Sequence, residues 1–340
     1  MITKIEKITA QSLKEAKEII LNSGVVGMPT ETVYGLGGNA FDDTAVKKIF
    51  EVKGRPNDNP LIAHIHLDYE LEKIIDYDTP CAKKLRDAFL PGPLTLVYPS
   101  TNKVSPFVSC GLNTLAIRVP AHEGAQAFLK EIDLPVVAPS ANLSKHVSPT
   151  SAKHVYDDFQ GKIPLILDGG ECEGGIESTV CDVTGDIPVI LRPGLITKEM
   201  IESVCGACDV YAPVLKAGDK AKSPGMMYKH YSPRCKTFLF KAEEIEKAKA
   251  VILQERTNGK VGVLCENTLL RFFEGMDATL LDFGVTAEEM ATNLYKLLRQ
   301  AETQVETLVA IEPIEQGGVM DGVMNRLKKA CLSTDISSKS

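Results

Sequence analysis

The chain has 340 residues, of which 44% are hydrophobic and 24% charged, the proportions of a folded globular protein rather than a disordered or fibrous one. Its 38 Lys and Arg against 45 Asp and Glu leave a formal charge of −7, which argues against a surface that grips nucleic acid throughout and confines any basic site to a local cleft. The length allows two or three domains of about 100–200 residues, each able to bury its own core. Nine cysteines, an odd number, follow an N-terminus, MITKIEKITAQSL, without an apolar leader core, and read as reduced thiols of a cytoplasmic protein. No run approaches the about 18 apolar residues that a bilayer crossing needs, so no membrane is expected.

From Ser12 to Ser23 the apolar residues Leu13, Ala16, Ile19 and Ile20 recur at helical spacing, and Val25 to Met28 reads as a short buried strand. Asp42 and Asp43 suit a helix N-cap, Ala45, Val46, Ile49 and Phe50 make the apolar face, and Gly54 ends the helix with Lys53 and Arg55 at its exit. Further strands are predicted at Leu61–Ile65, Leu94–Tyr98, Leu115–Val119, Val136–Ala138, Leu165–Leu167, Thr179–Val183 and Val189–Leu191. Helices are predicted near Ala82–Phe89, Gly124–Ile132, Ser151–Phe159 and Lys198–Val204, and the mixed spacing suggests an α/β fold built on a twisted open sheet of mixed direction. Between about Ala207 and Arg234 periodicity gives way to proline and glycine, with five basic residues against one acid from Tyr211 on, which reads as an interdomain linker. Strands at Thr237–Phe240, Val261–Leu264 and Leu308–Ile311, with helices Ala242–Arg256, Ala287–Ala301 and Val319–Ala330, then form a smaller α/β unit.

Three segments concentrate chemistry. In Pro29 to Ile65, Thr30 and Thr32 offer hydroxyls, Gly35, Gly37 and Gly38 allow close backbone approach in a turn, and Lys53 and Arg55 supply charge, a mixture suited to an anionic ligand. The glycines loosely match a dinucleotide fingerprint, but PTETVY intervenes between strand and glycines. In Pro135 to Thr150 an apolar strand empties into Ser140, Asn142, Ser144, Ser148 and Thr150, at the kind of strand end where open α/β sheets bind ligands; turn and capping roles explain the same residues equally. The third is Gly174 to Val180 followed by Leu191-Arg192-Pro193-Gly194. Arg118 interrupts an apolar strand and requires an anionic partner, a ligand or a nearby carboxylate. Cys205 and Cys208 form a CxxC without a second pair at zinc-ligand spacing, no GxSxG or P-loop occurs, and the six histidines show no metal-ligand spacing. A site rich in positioning groups and poor in nucleophiles suits phosphoryl or nucleotidyl transfer between bound substrates.

PTETVYGLG with KGRPNDNPLIAHI, APSANLS with SPT, and ESTV followed by LRPG together resemble the L-threonylcarbamoyladenylate synthase family. The linker SPGMMYKHYSP and the C-terminal unit resemble the long, two-domain form of that family. The resemblance implies a YrdC-like catalytic domain over 1–206, a linker and active-site lid over 207–235, and a smaller Rossmann-like α/β domain over 236–332. It also implies an enzyme that joins L-threonine, bicarbonate or CO2 and ATP into threonylcarbamoyl-AMP and pyrophosphate. Its product would pass to a separate tRNA threonylcarbamoyl transferase complex for N6-threonylcarbamoyladenosine formation. By the same resemblance Thr32, His64, Arg118, Ala138 and Ser178 hold threonine. Arg55, Asn59, Thr114, Ser140, Ser148, Arg192 and the linker's Tyr231 contact ATP, and Lys53 and Arg55 are catalytic on the phosphate side, with Mg2+ expected on the nucleotide. Lys145-His146 departs from the family pattern, which has a glycine in that loop. The alternative from a different class is a module that binds tRNA or double-stranded RNA through the basic linker without catalysis.

Overall fold

The computed structural model describes residues 1–57, 59–211 and 231–331. The chain divides into two compact units, Met1–Ser144 with Ser148–Tyr228, and Lys145–Val147 with Lys229–Ser340. In the first unit the strands are β1 (Lys4–Lys7), β2 (Val26–Met28), β3 (Gly35–Asn39), β4 (Ile62–His64), β5 (Leu94–Pro99), β6 (Thr114–Arg118), β7 (Val136–Val137), β8 (Leu165–Asp168), β9 (Thr179–Asp182), β10 (Val189–Arg192) and β11 (Asp209–Val210). They form one sheet in the order β1-β8-β2-β3-β7-β4-β6-β5-β9-β10-β11, with β4 parallel to β6 and antiparallel to β7, and β5 antiparallel to β6 and parallel to β9. The sheet is therefore mixed, as the spacing of elements predicts.

Period-two alternation along these strands separates two faces. One carries the large core, in which Leu36, Ala63, Leu94, Leu96, Leu115, Ile117 and Cys181 meet apolar residues of the helices Asp43–Lys53, Pro80–Phe89 and Ala152–Phe159. On the other face the helices Ala10–Leu21 and Glu123–Ile132 pack Ala16, Ile20, Phe128 and Leu129 on Val26, Met28, Val136 and Leu165. Farther along the sheet Ile62, Val97, Ala116, Val180 and Leu191 make a separate small cluster.

One expectation is corrected. Gly35, Gly37 and Gly38 do not form a turn; they lie in β3, paired antiparallel with β2. A Cβ at Gly35 would stand 2.9 Å from the Ala138 Cβ, and one at Gly37 would stand 2.9 Å from the Val136 Cγ1. Glycine is needed there because neighbouring side chains already fill the space over β3, and glycines held inside a strand do not form the turn into a helix N-terminus that a dinucleotide fingerprint requires. Short strands β1 and β11, too brief for a periodic signal, are additions to the predicted set.

The second unit is a parallel sheet of β12 (Lys236–Phe240), β13 (Val261–Cys265), β14 (Thr279–Asp282) and β15 (Thr307–Ile311) in the order β12-β15-β13-β14. β14 adds to the predicted strands. Segment Lys145–Val147 belongs to this unit, where His146 Nε2 lies 2.7 Å from Glu302 Oε2 and Arg299 Nη2 donates to the Val147 carbonyl at 2.6 Å. Lys145 has φ +71°, a left-handed conformation that favours glycine, so the loop keeps the glycine-like turn with a lysine in it. Tyr231 is buried and packs on Tyr295 with ring centroids 5.3 Å apart. Most of the predicted linker, 212–230, lies outside the described residues.

Replacing Gly37 by Val should overpack the β2-β3-β7 face and lower stability by about 1–3 kcal/mol. Denaturant unfolding of the variant checks this; wild-type stability would show that the space over β3 is open.

Candidate functional site

The alternation that builds the small apolar cluster also builds the polar site. His64 lies two residues past Ile62 on β4, Arg118 two past Ala116 on β6, Thr95 two before Val97 on β5, and Ser178 two before Val180 of β9. His64 and Arg118 are register partners on adjacent strands. A bulge between Ile190 and Arg192 sets Arg192 opposite Val180, which brings its side chain to the same face as Leu191. Simple alternation would have turned it away.

Arg118 is only 3% exposed. Its Nη1 donates to the Thr32 hydroxyl at 2.7 Å, its Nε to the Gly92 carbonyl at 3.2 Å, and its Nη2 lies 2.7 Å from Glu31 Oε1. The last is a charge contact whose angle does not suit a hydrogen bond, so both Glu31 oxygens lack an aligned donor. Burial pushes the Glu31 carboxyl upward, but the adjacent guanidinium outweighs it and holds the group below the usual carboxylate range. Two of the five guanidinium donors make aligned hydrogen bonds, and Nη2 is held only in the charge contact with Glu31. Thr30 fixes this corner: its hydroxyl donates to the Val33 carbonyl at 2.7 Å and sits 2.9 Å from the Thr32 hydroxyl. The Ala138 backbone N–H donates to the Ile62 carbonyl at 3.0 Å, tying β7's end to β4 beside His64.

His64 is buried, and burial followed by the nearby Arg118 charge pushes its pKa down to about 3. The neutral ring donates from Nδ1 to the Ile62 carbonyl at 3.2 Å. Ser178 sits between two partners: its hydroxyl is 2.8 Å from the Thr95 hydroxyl, and Arg192 donates to its carbonyl from Nε at 3.1 Å and from Nη2 at 3.0 Å.

The second group gathers around the end of the helix Asp43–Lys53. Asp42 caps its start, accepting from the Thr44 N–H at 2.8 Å, and Gly54 at φ +61° ends it, leaving Lys53 as its last residue and Arg55 just beyond. Lys53 is fully covered and donates to the Ser140 carbonyl and, at 2.7 Å, to the Asn142 carbonyl. Burial and the neighbouring Arg55 charge lower its pKa well below the ordinary lysine value. The Ser140 hydroxyl donates to Asn142 Oδ1 at 2.5 Å, and the Ser148 hydroxyl to Glu177 Oε1 at 2.7 Å. Arg55 Nη2 reaches the carbonyl of buried Asn59 at 3.5 Å. Thr114 opens β6, about 13 Å along the strand from Arg118 at the usual rise per residue.

All the predicted site residues except Tyr231 are thus in the first unit, with direct contacts between Arg118 and Thr32, Arg192 and Ser178, Lys53 and Ser140, and Arg55 and Asn59. Tyr231 is in the second unit. Glu31, Thr95 and Glu177 lie outside the set that the sequence points to. A threonine inside the apolar run LTLVY and two acids beside the threonines and serines of PTET and ESTV are the available signals. The Cys205–Cys208 pair does not make a metal site: the Cys205 thiol donates to the Cys81 carbonyl at 3.9 Å, and burial pushes Cys208 up to about 11 and Cys81 up to about 12. Among the described residues no group of three or more metal-ligating side chains could hold an ion, and no helix is long and apolar enough to cross a membrane. The RNA-binding alternative draws on basic linker residues that lie outside the described residues.

Residues 18–194 match the family model for Sua5, YciO and YrdC proteins, described as Telomere recombination, and residues 196–331 match one described as Threonylcarbamoyl-AMP synthase, C-terminal domain. A threonylcarbamoyl-AMP synthase of Pyrococcus abyssi is 42% identical over 330 residues, 96% of this chain and 95% of the relative. One of Bacillus subtilis is 41% identical over 320 residues, 94% of this chain and 92% of the relative. The crystal structure of P. abyssi Sua5 complexed with L-threonine superposes with a TM-score of 0.88 at 42% identity, covering 97% of each chain.

The depressed pKa of His64 sets a pH dependence. An unfolded histidine binds its proton below about pH 6.5 while the folded one stays neutral down to about 3, so acid favours the unfolded chain. Stability from this group is present above pH 6.5 and declines below it, by about 2 kcal/mol at pH 5. Denaturant unfolding at pH 7 and pH 5 should show a smaller loss in His64→Gln than in wild type; equal losses would assign the acid sensitivity to other groups.

Proposed function

The chain belongs to the two-domain threonylcarbamoyl-AMP synthase family, and from the geometry of its first unit we infer how its residues divide the work of that synthesis. It is an enzyme of the nucleotidyltransferase type that acts on small molecules, threonine among them. The observation that carries the division is Arg118: a buried guanidinium with N–H donors outside any aligned hydrogen bond, beside a neutral histidine and two threonine hydroxyls.

We assign the threonine carboxylate to those donors of Arg118, with Thr32, His64, Ala138 and Ser178 forming the walls of that pocket. Because His64 is neutral, it adds no second cation that would compete for the carboxylate. The cationic end, with Arg55, Arg192 and the amide of Asn59, suits the phosphates of ATP, and Thr114, Ser140 and Ser148 suit the rest of the nucleotide. Lys53 acts there by holding the Ser140–Asn142 backbone.

With both substrates in place, the threonine amine, deprotonated from its ammonium form, adds to the carbon of CO2 and gives up a proton, or to that of bicarbonate with loss of water, to form a carbamate. A carbamate oxygen then attacks the α-phosphorus of ATP while the bond to the β-phosphate breaks and pyrophosphate leaves. Arg55 and Arg192 stabilise the charge that develops on the phosphate oxygens, and no protein nucleophile is needed. Among the described residues no group of three or more carboxylates, histidines or cysteines could hold a resident Mg2+; the ion would enter on the ATP phosphates, where it would neutralise charge. The reactive mixed anhydride suits delivery to a separate tRNA-modifying transferase, with no more than a weak tRNA contact by this chain, and a cytoplasmic setting follows from that role.

Incubation with ATP, Mg2+ and bicarbonate should release pyrophosphate only when threonine is added; release without threonine would refute the reading. Arg55→Ala should lower that rate by about 10²–10³, the usual loss when one transition-state contact is removed, and Lys53→Ala should lower it by releasing the Ser140–Asn142 backbone that Lys53 holds. Wild-type rates would take both residues out of the site.

A further inference from the structure

Glu31 has no part in that division of work, yet it is the acid paired with its key arginine. Its side chain is 15% exposed and pairs with Arg118 at 2.7 Å, while neither carboxylate oxygen has an aligned hydrogen bond. Backbone N–H groups of Ala121 and of Glu31 itself approach the carboxylate without filling that need. The residue cannot swing away easily: its own carbonyl accepts from the Gly174 N–H at 2.7 Å, and both flanking threonines are tied in hydrogen bonds. A buried acceptor left without a donor is costly, so its presence beside a ligand pocket calls for a donor supplied by the ligand.

Charge specifies that donor. Arg118 and Glu31 sum to zero and His64 is neutral, so this corner of the site carries no net charge but is sharply dipolar. A lone carboxylate would meet a guanidinium already paired. A zwitterion, with an ammonium beside its carboxylate, matches both halves at once, and an ammonium carries three N–H donors. We propose that Glu31 reads the ammonium group of the substrate and makes the pocket selective for an α-amino acid over the corresponding α-hydroxy acid. This rests on the assignment of the Arg118 pocket to threonine. Glu31 then holds the nitrogen that must next form the carbamate bond.

Calorimetric titration of the full chain without ATP, using L-threonine and its α-hydroxy analogue, tests this in wild type, Glu31→Gln and Glu31→Asp. Wild type should bind threonine more tightly than the analogue by at least ~10-fold, the effect of one charge-assisted contact. Glu31→Gln should weaken threonine by roughly 10-fold and tighten the analogue, because Arg118 is no longer neutralised. That crossing of affinities would not arise from a general loss of packing. Glu31→Asp, which keeps the charge but withdraws it, should give an intermediate ratio and decides the matter if Glu31→Gln does not fold. A wild-type ratio in either folded variant overturns the role of Glu31 alone; failure of wild type to bind threonine overturns the pocket assignment with it.

Discussion

A guanidinium buried to 3% exposure can persist only if its surroundings are arranged for it, and Arg118 is the constraint on which the site is built. The carboxylate and hydroxyl of the adjacent Glu31 and Thr32 and the distant Gly92 carbonyl converge on it. Each of those groups is held in turn: Thr32 by Thr30, Gly92 by its backbone bond to Val119, and Glu31 by Gly174. The arrangement is costly to assemble unless a ligand uses it, because the guanidinium Nη2 and both carboxylate oxygens lack aligned partners. Pockets of this kind trade stability for recognition.

The sheet supplies the rest of the organisation. β6 starts at Thr114 and ends at Arg118, so one strand links the two groups of candidate site residues. β4, wedged between β7 and β6, presents His64 beside Arg118. At the other end Lys53, the last residue of its helix, is an internal strut: two of its donors go to loop carbonyls, which shape the segment carrying Ser140 and Asn142. Its depressed pKa records how completely it is covered. The loops beyond strand ends carry the chemistry, and the helices behind the sheet keep them in place.

Much of this organisation is legible in the order of residues. The helix ending at Gly54, the apolar strand broken by Arg118 and the strand emptying into APSANLS all stand where residue spacing predicts them. The need of Arg118 for an anionic partner follows from burial alone, and the structure supplies one in the Glu31 carboxylate. Less legible is the fate of the glycines after PTETVY, since glycine marks a turn and a crowded strand equally; only the positions of Val136 on β7 and of Ala138 just beyond it decide between them. β1 and β11 escape because two to four residues carry too little periodicity.

By itself the amino-acid sequence determined the order of elements, the α/β class, the three motif segments and the inventory of donors and charges, because these depend on local spacing and residue chemistry. The tertiary structure decided which of those groups meet. The Arg192 bulge, the pairing of Glu31 with Arg118, the Thr95–Ser178 contact and the coverage of Lys53 depend on strand order and register, across a sheet in which residues as distant in the chain as Lys4 and Leu165 are partners. Such contacts leave no mark on local patterning, since each partner satisfies its own strand or loop equally well with any neighbour of the right size.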